Sequence, residues 1–325
     1  RVFDLTSVAL DIDPESHTLS DDALSIRWPD KDCASTYDVD WLYRHRPGQV
    51  RDDPAVIEKI VWDADLQDDI PRCSVAACVD NPETLKQGLL MLKRYGIVIF
   101  SGLEDAPEAS HRFAELVGFE RQTNFGVMFE VISKPDPNNL AYTSIALPLH
   151  TDLPNQELIP GYQFLHAYKN SASGGESVFA DGFRICADLQ DEAPADLELL
   201  KTVPVPFRFH DDNNDIRRRR PLISQHEDGS FDYFVFNAHI ADLPDTEIEL
   251  LYDFYRAYKA LMHRIRDPKY AIRYRLQPGE MVAFDNSRVL HGRDEFDPDS
   301  GERHYRGYYL ERNEVDSCIR VLSRN

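Results

Sequence analysis

The segment LPLHTDLP (147–154) places a histidine and an aspartate two residues apart, His150 and Asp152, in an apolar stretch between two prolines. On an extended segment alternate side chains point to the same side, so both can reach one metal ion while Thr151 points away. Two imidazoles and one carboxylate on one face of a metal form an open catalytic iron site with three free positions. The pattern therefore predicts two of the three protein ligands of an iron centre.

A second His-x-Asp pair, His210 and Asp212, shows that the two-residue pattern alone is weak. This second pair borders the charge block DDNNDIRRRRP (211–221), which is typical of a solvated loop. His150 and Asp152 lie among apolar residues, where an unpaired carboxylate would be costly to bury without a cation. The sequence context therefore favours the first pair as metal ligands.

A third ligand is offered by VAFDNSRVLHGR (282–293), which runs from apolar to polar residues as a strand leading into a site would. Its histidine, His291, is the candidate, and the alternative is an ordinary histidine at the end of a strand. The two segments together supply the complete set of two histidines and one carboxylate.

The segment GERHYRGYYL (301–310) follows the third candidate ligand. If it is one strand, Arg303, Tyr305, Gly307 and Tyr309 share a face, and the glycine leaves space beside them. An arginine here is suited to bind a carboxylate through a bidentate pair of charge-assisted hydrogen bonds. The alternative for Arg303 is a salt bridge to one of the many acidic side chains.

Composition excludes several classes of partner. The formal net charge of −21 argues against nucleic-acid binding, which needs basic residues, and against binding to an anionic membrane surface. The sequence contains no run of about 18 apolar residues, so no transmembrane helix is predicted. The five cysteines include no CxxC spacing and indicate no disulfide framework, which favours a cytoplasmic protein. Cys73 and Cys78 could form a metal corner with a distant histidine, but two further ligands of matching spacing are missing.

The order of predicted elements suggests two domains. Segments such as ALSIRWP and STYDVDWLYRH read as strands, so we expect residues 1–75 to form a small β-rich N-terminal domain. The larger domain, 76–325, opens with a helix capped by Asn81 and then a buried strand at 97–102. After residue 120 the sequence predicts many short strands and one helix at 244–266, which is typical of a β-sandwich or barrel.

Three segments in this order resemble the Fe(II)/2-oxoglutarate oxygenases of the taurine dioxygenase-like superfamily, and within it the γ-butyrobetaine and trimethyllysine hydroxylase branch. The matching segments are NNLAYTSIALPLHTDLPNQELIPGYQFLHAYKNSASGGESVFADGF (138–183), FDNSRVLHGR (284–293) and GERHYRGYYL (301–310). The resemblance implies a mainly β fold with flanking helices around a double-stranded β-helix (jelly-roll) core.

The resemblance also implies the roles of the site residues. Iron would be bound by His150, Asp152 and His291, and Arg303 would pair with the distal carboxylate of 2-oxoglutarate. Ser177, in GGESVFADG, matches a position from which a hydroxyl supports this cosubstrate in relatives. Fe(II), 2-oxoglutarate and O2 would together hydroxylate a C–H bond, with succinate and CO2 as the other products.

Relatives in this branch hold a trimethylammonium group in an aromatic cage. Such a group has no N–H, so aromatic faces are its natural host, at about 0.5–2 kcal/mol per contact. The resemblance places the cage at Phe125, Phe129, Tyr142 and Tyr309. Each alone is more simply explained as core packing, but all four matched positions are aromatic. The first two are Tyr and Trp in the animal butyrobetaine enzymes, so the cage is retained in kind while its ligand stays open.

The anionic end of the substrate is less defined. Asn139 matches an amide position of relatives, although an Asx turn in DPNNL explains it equally well. Asn237 is a candidate second amide. Arg288 would face an anion or simply brace its strand.

The N-terminal domain departs from the animal relatives, which carry a cysteine-rich zinc cluster there. WLYRHRPG stands where those cysteines would follow, and Cys33 is alone nearby, so we expect no structural zinc. Two roles stay open for this domain: covering the active site, or forming a homodimer contact.

The leading hypothesis is a hydroxylase of a small trimethylammonium zwitterion such as γ-butyrobetaine, which would yield carnitine. The main rival substrate is 2-(trimethylammonio)ethylphosphonate, and sulfonates and trimethyllysine are further alternatives. A different class is a non-catalytic jelly-roll binding protein with a degenerate metal site, which the complete ligand set disfavours.

Overall fold

The computed structural model describes residues 4, 6, 9–29, 34–106, 108–132 and 140–324. The chain separates into two compact units, residues 1–56 and residues 57–325. The boundary therefore lies at 56/57 and not near residue 75. Residues 57–75 belong to the larger unit because Trp62 and Ile70 are buried in its core.

The smaller unit contains a three-stranded antiparallel sheet, whose strands are β1 (Ser16–Leu19), β2 (Ala23–Arg27) and β3 (Ala34–Asp38). The strand predicted in ALSIRWP is confirmed. In STYDVDWLYRH only the first part is a strand, and helix α1 (Val39–Arg44) follows. The helix begins there because the Asp38 carboxylate accepts a hydrogen bond from the main-chain N–H of Trp41 (2.6 Å).

The larger unit begins with alternating helices and strands: β4 (Arg72–Ser74), α2 (Val75–Asp80), α3 (Pro82–Tyr95), β5 (Ile97–Ser101) and α4 (Ala109–Val117). The predicted cap of α3 is confirmed, because the Asn81 side chain accepts a hydrogen bond from the N–H of Glu83. The helix ends at Gly96, whose φ of 73° favours glycine.

Short strands dominate the rest of the unit. They are β6 (Phe129–Val131), β7 (Leu147–His150), β8 (Tyr162–Asn170), β9 (Ser173–Gly174), β10 (Ser177–Asp181), β11 (Val205–His210), β12 (Asp215–Arg220), β13 (Ile223–Gln225), β14 (Phe231–Phe234), β15 (Ala271–Tyr274), β16 (Glu280–Asp285), β17 (Val289–Arg293), β18 (Phe296–Asp297) and β19 (Arg303–Leu310).

Two sheets built from these strands form the core. One has six strands in the order β4-β5-β16-β8-β19-β6, and the other has four in the order β15-β10-β17-β7. All their pairs are antiparallel except β4 with β5. Side chains from both sheets pack together, and the rings of Phe179 and Phe284 lie 5.5 Å apart between centroids. Two facing, mainly antiparallel sheets confirm the expected jelly-roll core with flanking helices.

Helices flank this core: α3 contacts strands of the six-stranded sheet, and α5 (Gly182–Glu192) contacts β17 of the four-stranded sheet. Besides α7 (Ile248–Ile265), which lies where a helix was predicted, the structure has α5, α6 (Pro194–Thr202) and α8 (Arg312–Leu322). The expectation of one helix after residue 120 was therefore wrong. Helix α5 was not predicted because it begins with a glycine, a residue that disfavours helices. Glycine is required at position 182 because a Cβ there would overlap Phe234 and lie 2.6 Å from the Arg288 carbonyl oxygen.

Within the described residues, no helix is both long and apolar enough to cross a membrane.

Candidate active site

Two neighbouring strands bring the predicted metal ligands together. In the antiparallel pairing of β7 with β17, His150 lies opposite His291, and their imidazole centroids are 4.4 Å apart. Asp152 follows the end of β7. Its Oδ1 lies 3.3 Å from Nε2 of His150, and its Oδ2 lies 3.6 Å from Nε2 of His291. One ligand atom from each of the three residues therefore lies within 4.8 Å of the others.

Hydrogen bonds orient this triad. Nδ1 of His150 donates to the carbonyl oxygen of Pro148 (2.9 Å), since a carbonyl can only accept, and this leaves Nε2 free to bind a metal. The Asn286 side chain binds the main chain of Asp152 from both sides: Oδ1 accepts from its N–H (2.7 Å) and Nδ2 donates to its oxygen (2.9 Å). The Tyr309 hydroxyl donates to Oδ2 of Asp152 (2.7 Å).

Burial and mutual charge set the protonation of the triad. Burial alone would raise the pKa of Asp152, but His291, His150 and the Tyr309 hydroxyl hold it below its usual range. Burial and the neighbouring His150 lower the pKa of His291 to about 3. Against burial, Asp152 and the Pro148 carbonyl raise the pKa of His150. The site therefore presents a carboxylate and a neutral imidazole, which are the forms that bind metals.

The donor set fits Fe(II). Two imidazole nitrogens and one carboxylate oxygen within 4.8 Å of one another are the donor set of the facial triad of non-haem iron oxygenases. His150 is 8% exposed and His291 is 7% exposed, so both imidazoles are shielded from bulk water, while Asp152 is partly buried. His150, Asp152 and His291 would hold the metal, as the sequence predicted.

A cavity of about 450 Å³ opens beside the triad. The triad lines it together with the other predicted site residues Arg303, Ser177, Phe125, Phe129, Tyr142, Tyr309 and Asn237. The structure thus gathers at one cavity residues that are up to 184 positions apart in the chain, from Phe125 to Tyr309.

Arg303 is placed to bind an anion. Its guanidinium carbon lies 4.0 Å from the ring centroid of Tyr305, and its Nε has no hydrogen-bond partner among the described residues. Burial lowers the pKa of Arg303, while Tyr305 opposes this effect. Ser177 lies on the same side of the cavity and is hydrogen-bonded to the Tyr305 phenol. A partly buried cation beside a hydroxyl provides the donors that a carboxylate requires.

The four predicted cage residues line the cavity. The rings of Phe129 and Tyr309 lie 5.3 Å apart between centroids with planes tilted by 33°. Phe125 packs edge to face with Phe209, a further aromatic residue that lines the cavity, and their ring centroids are 5.4 Å apart. Burial raises the pKa of Tyr142, so its phenol stays neutral at physiological pH. The set offers π faces and neutral hydroxyls to a cation.

Gly307 makes room for one of these rings. Strand β19 carries Arg303, Tyr305, Gly307 and Tyr309 at alternate positions, as the sequence predicted. Gly307 pairs with Phe129 across the sheet. A Cβ at Gly307 would lie 2.5 Å from Cε2 of Phe129, so any side chain there would displace the ring.

Of the two asparagines predicted to bind the anionic end of the substrate, the structure describes only one. Asn139 lies outside the described residues. Asn237 lines the cavity, but its Nδ2 donates to the oxygen of Thr151 (3.2 Å) and its Oδ1 accepts from the N–H of His239 (3.1 Å). One N–H of its amide therefore stays available for a substrate.

The structure corrects the substrate-contact prediction for Arg288. Its side chain is fully buried away from the cavity and forms a bidentate ion pair with Asp181, with Nε to Oδ1 at 3.0 Å. Two further N–H groups donate to the main-chain oxygens of Arg94 and Ile60. Four of its five N–H groups are therefore paired within the fold, so Arg288 braces the structure, which was the alternative interpretation.

Arg293 is a site residue that sequence reasoning missed. It lines the cavity, is 5% exposed, and donates to the main-chain oxygen of Thr143 (2.8 Å), next to Tyr142, one of the predicted cage residues. Burial and the neighbouring Arg303 lower its pKa to about 10. The signal was available, because Arg293 follows His291 by two residues and so shares its strand face.

Other missed lining residues are Asn155, Phe209, His210 and His239. His210 was set aside as part of a solvated pair, and it is indeed exposed, at the end of β11. It lines the cavity, yet it is not one of the grouped metal ligands among the described residues. No periodicity indicates these four, because they reach the cavity from separate loops and from the β11–β12 hairpin.

Comparison with known proteins agrees with this geometry. The sequence profile of the family described as taurine catabolism dioxygenase TauD, TfdA family matches residues 74–309. The gamma-butyrobetaine dioxygenase of Pseudomonas sp. (strain AK-1) is 38% identical, over 100% of this chain and 85% of that protein. The mitochondrial trimethyllysine dioxygenase of Bos taurus is 28% identical, over 99% of this chain and 77% of that protein.

Solved structures show the same fold. An asparagine oxygenase in complex with Fe(II), 2S,3S-3-hydroxyasparagine and succinate superimposes with a TM-score of 0.58 at 15% identity, covering 73% of this chain and 82% of that one. The non-heme iron oxygenase OrfP, in complex with Fe and alpha-ketoglutaric acid, gives a TM-score of 0.55 at 17% identity, covering 77% and 85%.

Proposed function

We propose that this chain, which belongs to the taurine catabolism dioxygenase TauD, TfdA family, hydroxylates γ-butyrobetaine or a close trimethylammonium analogue. It is a 2-oxoglutarate-dependent dioxygenase that acts on a small molecule. The observation that carries the choice of substrate is the aromatic lining beside the triad. The 38% identity to a gamma-butyrobetaine dioxygenase over the full chain supports the same substrate.

When bound, iron and 2-oxoglutarate supply the oxidising chemistry with O2, and the chain supplies position and shielding. His150, Asp152 and His291 would hold the iron at one end of the cavity. Arg303 would pair with the distal carboxylate of 2-oxoglutarate, aided by the Ser177 hydroxyl. The buried guanidinium without a protein carboxylate at its Nε is the feature that supports this assignment.

The aromatic set would hold the cationic end of the substrate. Phe125, Phe129, Tyr142 and Tyr309 surround the cavity, and a quaternary ammonium group gains about 0.5–2 kcal/mol at each aromatic face. Tyr309 also contacts Asp152, so the cationic group would lie close to the metal ligands. A C–H bond of the substrate's carbon chain, beyond the nitrogen, would then lie near the bound iron.

The residues that would bind the anionic end of the substrate are less well defined. The free N–H of the Asn237 amide is one donor for it, and Asn139 is proposed as a second on the resemblance alone. Both amides accommodate a carboxylate or a phosphonate, so 2-(trimethylammonio)ethylphosphonate is the second candidate substrate. A binding protein without catalysis is disfavoured because the triad and Arg303 are intact.

A substrate panel tests the proposal. Purified protein with Fe(II), 2-oxoglutarate and O2 is given γ-butyrobetaine, its phosphonate and sulfonate counterparts, and trimethyllysine, and succinate and hydroxylated product are both measured. We expect equal amounts of the two with γ-butyrobetaine. A carbon isostere with tert-butyl in place of trimethylammonium is the matched control, and it should bind at least about tenfold more weakly if the cage reads charge.

Product from the phosphonate at a kcat/KM above that of γ-butyrobetaine would favour the second candidate. No turnover of any trimethylammonium compound, with iron bound, would contradict the proposal. The predicted cytoplasmic location, the open homodimer alternative, and the predicted absence of nucleic-acid and membrane partners stay predictions.

A further inference from the structure

Strand β4 runs directly into helix α2, and the junction carries two cysteines. Ser74 is the N-cap, because its hydroxyl accepts a hydrogen bond from the N–H of Ala77. Cys73 is therefore the residue before the cap, and Cys78 is the fourth helical residue. These are the two positions whose side chains pack together in a hydrophobic staple. The local backbone thus brings the two thiols together.

The sulfur atoms are 3.3 Å apart. Cys78 is buried at 2% exposure, whereas Cys73 is only partly buried and can be reached from solvent. Either thiol can donate the hydrogen bond between the two sulfurs; donation from Cys78 favours the Cys73 thiolate and lowers the pKa of Cys73 to about 7. The same hydrogen bond, together with burial, raises the pKa of Cys78.

The surroundings hold the pair in place. A Cβ on Gly88 of α3 would lie 3.3 Å from the sulfur of Cys73, so α3 closes one side of the pair. The Cys73 sulfur also lies 3.9 Å from the main-chain oxygen of Thr84. Among the described residues no histidine or carboxylate joins the two thiols in a group of three metal ligands. The arrangement therefore favours thiol oxidation over metal binding.

We propose that Cys73 and Cys78 are an oxidative modification site, which hydrogen peroxide converts to an intramolecular disulfide. The Cys73 thiolate attacks the O–O bond of the peroxide; water leaves, and Cys73 becomes a sulfenic acid. The sulfur of Cys78 then attacks the sulfur of Cys73, the S–S bond forms, and a second water leaves. Two thiols and one H2O2 thus give one disulfide and two water molecules.

The geometry suits this step. A disulfide has an S–S distance of about 2.0 Å, so the sulfurs need to approach by only about 1 Å, which side-chain rotation can supply. The partly buried thiol of Cys73 is the more acidic and meets the oxidant first, and the buried thiol of Cys78 resolves the intermediate. The other described cysteines lack this arrangement: Cys186 is fully buried, and Cys318 donates to the main-chain oxygen of Leu116.

Peptide mass spectrometry tests the proposal on the full-length protein. Trypsin cleaves after Arg72 and Lys86, so both cysteines fall in one peptide, 73–86. After treatment of reduced protein with H2O2 and blocking of free thiols, we expect this peptide to be unblocked and lighter by two hydrogens. Dithiothreitol should restore both thiols. The experiment does not depend on catalysis, so its outcome is independent of the proposed function.

Single variants identify the roles. Cys78→Ser should stop the reaction at a sulfenic acid on Cys73 that dimedone traps, and Cys73→Ser should leave Cys78 unmodified. The matched controls Cys33→Ser, Cys186→Ser and Cys318→Ser should still form the disulfide, with circular dichroism confirming that each variant is folded. Two free thiols in peptide 73–86 after oxidation, or a disulfide from Cys73 to any other cysteine, would overturn the proposal.

Discussion

The phenol of Tyr309 donates a 2.7 Å hydrogen bond to Oδ2 of Asp152, and it joins a wall of the aromatic cavity to a metal ligand. The two residues are 157 positions apart, and β19 brings the tyrosine to the carboxylate. A tyrosine expected only to contact substrate therefore also orients the metal site. Such partners of metal ligands contribute about 10- to 100-fold to metal affinity or activity.

Tyr309→Phe separates these two roles. The variant keeps the aromatic face and loses the hydrogen bond, so we expect Fe(II) affinity to fall about tenfold while KM for the trimethylammonium substrate changes by less than about twofold. Tyr309→Ala should impair both. Iron titration of activity and steady-state kinetics measure the two effects. A higher substrate KM with unchanged iron affinity in the phenylalanine variant would assign Tyr309 to the cage alone.

The variant Gly307→Ala tests whether the glycine is needed to leave room for the ring of Phe129. The added Cβ would displace the phenylalanine ring, so we expect KM for the trimethylammonium substrate to rise about tenfold, roughly the value of one cation–π contact. KM for 2-oxoglutarate should change little, because Arg303 lies two alternate positions away. The double variant Gly307→Ala/Phe129→Ala is the control: it should behave as Phe129→Ala does. Additive effects would show that the glycine acts through another residue.

His150→Ala and Asp152→Ala should each lower turnover at least about a hundredfold, because each removes a metal ligand. His210→Ala is the matched control, since it lines the same cavity without belonging to the triad. It should retain iron binding and succinate formation. Iron content after desalting and succinate yield measure the outcome, and loss of iron in the His210 variant would mean that the wrong histidine was assigned.

Arg288→Met should destabilise the fold by about 3–5 kcal/mol, because it leaves Asp181 buried without its cation. The double variant Arg288→Met/Asp181→Asn should recover much of that loss, since no unpaired charge remains and the amide oxygen can still accept the N–H of Phe183 that caps α5. Urea denaturation of both variants measures the free energy of unfolding. Equal stability of Arg288→Met and the parent protein would refute the bracing role, as would a rise in substrate KM without loss of stability.

The buried side chain of His166 should make the stability of the fold depend on pH. Burial and the nearby Arg306 lower its pKa to about 4 from the usual 6.5. Between pH 6.5 and 4 the unfolded chain therefore binds the proton more readily, so stability falls as the pH drops, by up to about 3 kcal/mol. Above pH 6.5 both states are neutral, and below pH 4 both are charged.

His166→Gln should therefore show a shallower fall in unfolding free energy between pH 6.5 and 4. The difference between the variant and the parent protein should be constant above pH 7, which serves as the internal control. Denaturation curves at a series of pH values measure it. Parallel stability curves throughout the acid range would show that His166 does not titrate in this way.

Local sequence was sufficient for features that neighbouring residues settle. Alternation along an extended segment placed His150 and Asp152 on one side, and Asn81 marked the start of α3 because its side chain caps the adjacent N–H group. Alternation also placed Arg303 and Tyr309 on one face of β19. These inferences held because the interactions concerned span only a few residues.

Tertiary structure decided what depends on distant partners. Arg288 could serve an anion or brace its strand, and only the arrival of Asp181 on β10 determined that it braces. The unit boundary moved to 56/57 because Trp62 and Ile70 found places in the core of the larger unit.

The site shows the same division. The sequence by itself determined which residue types could bind iron and a carboxylate, since their chemistry and spacing are local properties. The pairing of β7 with β17, and the position of β19 beside Asp152, determined that these residues meet. The tertiary structure also added Asn286 and Arg293 to the site. Strand pairing joins segments more than a hundred residues apart, and no short-range pattern in the chain records which segments will become neighbours.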